Sequence, residues 1–88
     1  EGVALKNEYL AAMTAGLTVT DEVVVALVER HRAWITQGWG GVEPTREQLV
    51  GLGDMYVADE RFARHYGGAD GANFVRDAIY AWTESAHH

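Results

Sequence analysis

The sequence contains no cysteine and only one proline among its 88 residues. Without cysteine the chain can form neither a disulfide bond nor a zinc site with thiolate ligands. A chain of this length buries roughly 60–65% of the surface that it exposes when unfolded, so its core is thin. The fold therefore depends on regular packing of secondary structure or on a partner. Absence of cysteine also fits a reducing compartment.

Basic residues are scarce as well, because 7 Lys and Arg stand against 13 Asp and Glu, for a formal net charge of −6. Nucleic-acid binding requires clustered Lys and Arg, so we expect no nucleic acid to bind this domain itself. No apolar run approaches the ~18 residues of a membrane helix, and the start lacks a signal-peptide pattern. The expected location is cytoplasmic, with no membrane partner.

The length predicts a single domain over residues 1–88, with no DNA-binding domain in it. The first residue is Glu1 rather than Met, so we expect that it is not a natural start. His87 and His88 have the pattern of a purification-tag remnant, and no function is predicted for them. If the protein dimerises, we expect it to do so through regions outside this chain.

Apolar residues recur at helical spacing in five segments, and no strand-like alternation persists beyond a few residues. The predicted helices span residues 4–15, 21–37, 46–57, 60–66 and 71–85. Their N-caps are predicted at Thr20 or Asp21, Thr45, Asp59 and Asp70. Thr45 and Gln48 have the spacing of a capping box.

These helices predict an all-α fold, a small orthogonal assembly of about five helices. An up-and-down bundle is disfavoured because the helices differ in length and the fourth has only about two turns. Gly51 and Gly53 are predicted to let another helix approach the third one closely. Residues 38–44 form a glycine-rich linker, predicted to be mobile, with Trp39 in its middle.

Aromatic side chains carry the prediction of a binding function. A domain this small cannot bury all of its rings, so some should line a cleft or an interface. Aromatic faces suit flat heteroaromatic ligands, although rings on helical stripes can equally be core. The candidate ligand-binding residues are Trp34, Trp39, Leu52, Met55, Tyr56, Phe62, Tyr66 and Phe74.

The sequence shows no pattern typical of catalysis: no nucleophile–base pair, no phosphate-binding loop and no metal-ligand spacing. We therefore predict no enzymatic activity, no metal and no cofactor. His31 lies on the apolar stripe of the second helix and is predicted to be a buried structural histidine rather than a haem or metal ligand. Arg61 and Arg76 are predicted to pair with nearby carboxylates.

Several blocks of the sequence occur in an order and spacing that resemble one family. They read LVERHRAWI at residues 27–35, GLGDMYVADERF at 51–62 and FVRDAI at 74–79, with MTAG at 13–16 and DE at 21–22. Together they resemble the TipAS domain, the antibiotic-recognition half of thiostrepton-induced MerR-type regulators. The similarity extends from about Tyr9 to Trp82.

The resemblance implies a reduced globin-like helical fold and large hydrophobic ligands, namely thiopeptide antibiotics or, in drug-sequestering relatives, albicidin. In the regulators a winged-helix DNA-binding domain and a coiled coil precede the domain. Thiopeptide-binding members carry a cysteine between the second and third helices that captures the drug covalently. This chain has no cysteine, so any binding must be non-covalent or involve another ligand class.

The expected function is therefore non-covalent binding of a hydrophobic, thiopeptide-like or other peptidic antibiotic. The domain would act as the sensor of a transcription regulator or as a drug-sequestering protein. The alternative is a protein–protein interaction or dimerisation module that uses the same aromatic surface.

Overall fold

The predicted helices form in the structure, a computed structural model that describes residues 2–85. Within that range the helices are α1 (Gly2–Thr14), α2 (Glu22–Gly38), α3 (Arg46–Ala58), α4 (Glu60–His65) and α5 (Ala69–Ser85). This part of the chain contains no strand, so the all-α prediction is confirmed. Every helix end lies within two residues of its predicted position. His87 and His88 fall outside the described residues.

Polar side chains begin three of the helices, as the capping pattern predicts. Asp21 and Asp59 each accept a hydrogen bond at 2.9 Å from the backbone N–H two residues further on. The Thr45 hydroxyl accepts the Gln48 N–H at 3.1 Å, and the Gln48 side chain accepts the Thr45 N–H at 2.8 Å. The cap predicted at Asp70 is wrong, because α5 begins one residue earlier and Asp70 lies inside its first turn.

We expect Thr45→Ala to lower the free energy of unfolding by about 1 kcal/mol, since it removes the acceptor at the start of α3. Urea unfolding followed by far-UV circular dichroism measures the change. Thr45→Ser keeps the hydroxyl and is the matched control, with a loss below about 0.5 kcal/mol expected. Equal stability of the alanine variant and the wild type would show that this cap contributes nothing.

The core lies where single faces of α1, α2, α3 and α5 meet, closed by the tyrosine that follows α4. Burying these apolar faces is the main source of stability in a domain of this size. The buried apolar residues are Leu5, Tyr9, Ala12, Val24, Leu27, Val28, Ile35, Leu49, Tyr56, Tyr66, Val75, Ala78 and Ile79. Trp34 of α2, one of the candidate ligand-binding residues, is 40% exposed, which makes it available to a ligand.

Helix α3 makes its most extensive contact with α5, and a glycine allows the two backbones to approach. A Cβ atom at Gly53 would lie 3.3 Å from the Cα of Arg76 in α5, so the backbones approach closely there. The same role predicted for Gly51 is wrong, because a Cβ at that position would meet no atom within 4 Å. None of the helices within residues 2–85 is long and apolar enough to cross a membrane.

Candidate ligand-binding site

An open cavity of about 640 Å³ lies between the C-terminal half of α2, the middle of α3 and α4. It is lined by Trp34, Ile35, Gln37, Gly38, Trp39, Leu52, Met55, Tyr56 and Phe62. We call it the first cavity. Its size is in the range of small-molecule sites, and none of these lining residues carries a charge. It is suited to an uncharged, largely apolar molecule.

A second cavity of about 500 Å³ adjoins the first. It is lined by Trp34, Tyr56, Arg61, Phe62, His65 and Tyr66. Three of these rings, those of Trp34, Tyr56 and Phe62, also line the first cavity, so the two spaces meet at a shared aromatic wall. The two cavities differ in their other lining residues, since the guanidinium of Arg61 and the imidazole of His65 line only the second.

The last turn of α2 fixes the position of Trp39, which the sequence had placed in a mobile linker. Its N–H donates to the carbonyl of Ile35 at 2.9 Å, a helix-type bond, and Trp39 is the C-cap of α2. The turn away from the helix comes after it, at Gly40 and Gly41 with φ of 72° and 94°. Such angles favour glycine, because a side chain would clash with the backbone. The hydrogen bond to the last turn of α2 therefore holds Trp39 beside the cavity.

Within the shared wall, the Tyr56 ring is in tilted contact with Phe62, and it is tilted in the same way against Tyr66 of the second cavity. The ring centroids of Tyr56 and Phe62 are 5.6 Å apart at an interplanar angle of 40°. Those of Tyr56 and Tyr66 are 5.1 Å apart at 46°. Phe62 is 37% exposed, and Trp39 is 41% exposed. Partly exposed ring faces of this kind can stack against a flat ligand and remove it from water.

A buried hydrogen-bond network supports this wall from behind. His31, 1% exposed, lies between two tyrosine hydroxyls: that of Tyr9 is 3.1 Å from Nδ1, and that of Tyr56 is 3.3 Å from Nε2. The imidazole stacks on the Tyr56 ring at 5.9 Å and 7°. Burial lowers the pKa of His31 to about 4, so the ring is neutral at neutral pH, with one nitrogen donating and the other accepting. The prediction of a buried structural histidine is confirmed.

The tyrosines around His31 also remain neutral. Burial raises the pKa of Tyr9 and of Tyr56. The pKa of Tyr66 is raised as well, mainly by burial and to a smaller extent by the neighbouring Tyr56. These hydroxyls therefore keep their protons at any physiological pH and act as hydrogen-bonding groups rather than charges.

The structure brings together all of the candidate residues except one. Phe74 lines neither cavity; it is half-buried and packs against the core. Sequence reasoning missed five lining residues: Ile35, Gln37, Gly38, Arg61 and His65. Helical spacing contained a signal for two of them, since Gly38 lies four residues after the candidate Trp34, and His65 lies three residues after the candidate Phe62.

The chemistry available here is that of binding. The rings offer stacking surface, and Gln37 and the indole N–H groups offer hydrogen bonds to orient a ligand. Among residues 2–85 no group of three or more His, Cys, Asp or Glu side chains is arranged to hold a metal ion. The predicted ion pairs do form, at 3.2 Å for Arg61 with Asp59 and 3.0 Å for Arg76 with Asp77.

Comparison with known proteins relates the chain to one family of ligand-recognition domains. The family model of the TipAS antibiotic-recognition domain matches residues 1–82. The HTH-type transcriptional regulator SkgA of Caulobacter vibrioides is 36% identical over 66 residues, which are 75% of this chain and 26% of that protein. The HTH-type transcriptional activator TipA of Streptomyces coelicolor is 35% identical over 83 residues, 92% of this chain and 32% of that protein.

The chain thus spans about a third or less of the length of these curated relatives. No solved structure matches it significantly.

Proposed function

The chain belongs to the TipAS antibiotic-recognition domain family, and on that premise we propose that it binds a hydrophobic antibiotic non-covalently in the first cavity. The observation that carries the proposal is the uncharged aromatic lining of that cavity, with Trp34, Trp39, Tyr56 and Phe62 around it. An apolar ligand gains by leaving water, and flat rings gain further by stacking on exposed indole and phenyl faces. Gln37 at the rim would orient the ligand's polar groups.

The chain has no cysteine, so no thiol can capture the ligand covalently. Tyrosine hydroxyls do not replace a thiolate as nucleophiles here, since burial keeps them protonated. The proposed ligand class is a thiopeptide-like or other peptidic antibiotic with flat aromatic or heteroaromatic segments. Affinity would then depend on buried area and stacking.

The proposed role is that of an effector-sensing domain in a transcription regulator, or of a drug-sequestering protein. Both relatives are named as HTH-type regulators, and this chain corresponds to a fraction of their length. In a regulator, a ligand would act only through a difference in its affinity for two conformations of the protein. In a sequestering protein, affinity alone would suffice.

A panel of thiopeptides and albicidin tests the proposal by thermal shift and tryptophan fluorescence. A ligand that binds only the native state must raise the melting temperature in a saturable way. The absence of any shift across the panel would contradict antibiotic binding. A tight dimer by size-exclusion chromatography with light scattering, burying Trp34 and Phe62, would instead favour the interaction module.

For the panel member that binds most tightly, we expect Trp39→Ala to raise the dissociation constant about tenfold, because it removes one stacking face of the cavity. The affinity is read from the ligand dependence of the melting temperature. Phe74→Leu is the control, since Phe74 lines neither cavity, and its dissociation constant should stay near that of the wild type. Equal losses in the two variants would argue against the first cavity as the site.

A further inference from the structure

The second cavity differs from the first in the polar groups that it presents. Of its lining residues, Arg61, Phe62 and His65 come from α4, and the first cavity contains neither Arg61 nor His65. Arg61 and His65 are four residues apart and therefore lie on the same face of that helix. The acidic residues next to them in sequence, Asp59 and Glu60, are not among the lining residues. The lining residues thus supply N–H donors from Arg61 and His65 and include no carboxylate, although Arg61 itself pairs with Asp59 outside the lining.

Arg61 is both positioned and available. Its Nε and one terminal nitrogen donate to the Asp59 carboxylate, at 3.4 and 3.2 Å, which limits the orientations of the guanidinium. A guanidinium has five N–H groups in a planar fork, so several remain for another acceptor. The Arg61 side chain is 85% exposed, and a ligand can reach it without displacing any core residue.

The two cavities together have the form of an elongated site with one uncharged part and one donor-rich part. Trp34, Tyr56 and Phe62 form the boundary, so one molecule stacked on these rings would extend into both spaces. Each space is large enough for a ring system or a comparable group. The body of such a ligand would lie beside Trp39, and its end would lie beside Arg61.

Building on the binding function proposed above, we propose that the second cavity holds an acidic group of the ligand, with Arg61 as its hydrogen-bonding cation and His65 as a further donor. The ligand class is then an elongated aromatic acid, which places its uncharged rings in the first cavity. Charge-assisted hydrogen bonds to a guanidinium are stronger than neutral ones, so Arg61 would determine preference for acids over their neutral analogues.

Two fluorescent dyes with the same ring skeleton test this assignment. N-phenyl-1-naphthylamine is neutral, and 8-anilinonaphthalene-1-sulfonate carries one additional sulfonate. We expect Arg61→Met to raise the dissociation constant of the sulfonate dye about tenfold, while that of the neutral dye changes less than about twofold. Arg64→Met is the matched control, because Arg64 lies on the same helix, lines neither cavity and removes the same charge.

The outcomes separate the two proposals. Selective loss of the sulfonate dye in Arg61→Met supports the acid site. If Arg61→Met binds the sulfonate dye as the wild type does, or no more weakly than Arg64→Met does, the acid site is excluded. Binding of the neutral dye would in that case still support an apolar cavity. If neither dye binds the wild-type domain, the proposed cavity and the acid site both fail.

Discussion

Gly71→Ala is expected to lower the free energy of unfolding by about 3 kcal/mol or more, because the substitution inserts a methyl group into occupied space. Gly71 lies in the first turn of α5, where this helix starts against the chain leaving α4. A Cβ atom there would overlap the carbonyl oxygen of Tyr66 and lie 3.0 Å from a methyl carbon of Leu10. The obstacle is backbone, so no change of rotamer relieves it.

The start of α5 would have to move, and with it the contacts that Tyr66 makes in the core and in the second cavity. A domain of this length has a total stability on the order of 5–10 kcal/mol, so the substitution removes a large part of it. Urea unfolding followed by far-UV circular dichroism gives the free energy. The expected result is a much lower midpoint, or a chain already partly unfolded without urea.

Gly51→Ala is the matched control, since it makes the same chemical change inside a helix. A Cβ at Gly51 meets nothing within 4 Å, and alanine favours the helix over glycine. We expect this variant to gain up to about 1 kcal/mol. The two substitutions should therefore have opposite signs. A Gly71→Ala domain as stable as the wild type would show that α5 does not start in close contact with Tyr66.

The same region shows where sequence reasoning about the fold succeeds and where it fails. The starts of α2, α3 and α4 follow from local side-chain caps, which depend only on neighbouring residues. The start of α5 does not, because the carbonyl of Gly68 accepts its first helical bond at 3.1 Å. In the sequence, Gly68 gives no capping signal that competes with that of Asp70. The close contact of Gly71 with Tyr66 and Leu10 is tertiary and leaves no local pattern in the sequence.

Like the helix starts, the candidate site could be predicted from the sequence only in part. A surplus of aromatic rings over core volume predicts that some rings remain accessible, and Trp34, Trp39 and Phe62 do. Periodicity could not distinguish Phe62 from Phe74, since each falls on the apolar stripe of its own helix. The packing of α4 and α5 decides which of them reaches the cavity. Arg61 was read as a surface ion-pairing residue, because on so short a helix a charged side chain gives no sign that it borders a cavity.

Acidification from pH 7 to pH 4.5 should destabilise the domain through His31 by about 2–3 kcal/mol. Burial lowers the pKa of this imidazole from 6.5 to about 4 in the folded state. Below pH 6.5 the unfolded chain takes up a proton at this position, whereas the folded domain does so only near pH 4. Stability is therefore fully present above pH 6.5 and is lost as the pH falls from 6.5 towards 4.

Carboxylates contribute their own pH dependence, so the measurement must separate them from His31. Hydrogen bonds from Arg30 and Arg61 lower the pKa of Glu8 and of Asp59, respectively, and both contributions are lost as the solution becomes more acidic. These carboxylates are the same in the wild type and in a His31 variant. The difference between the two pH profiles therefore isolates the imidazole.

His31→Gln provides that comparison, because its amide can still donate and accept between the tyrosine hydroxyls but does not titrate. Its stability at pH 7 is expected to be lower, since glutamine does not stack on Tyr56 as the imidazole does. The decisive quantity is the free energy of unfolding that each protein loses between pH 7 and pH 4.5, measured by urea unfolding at each pH. The loss in His31→Gln should be smaller than the loss in the wild type by about 2–3 kcal/mol. If His31→Gln keeps the wild-type profile, then His31 is not held neutral behind the aromatic wall, and the support that it gives to Tyr56 must come from packing alone.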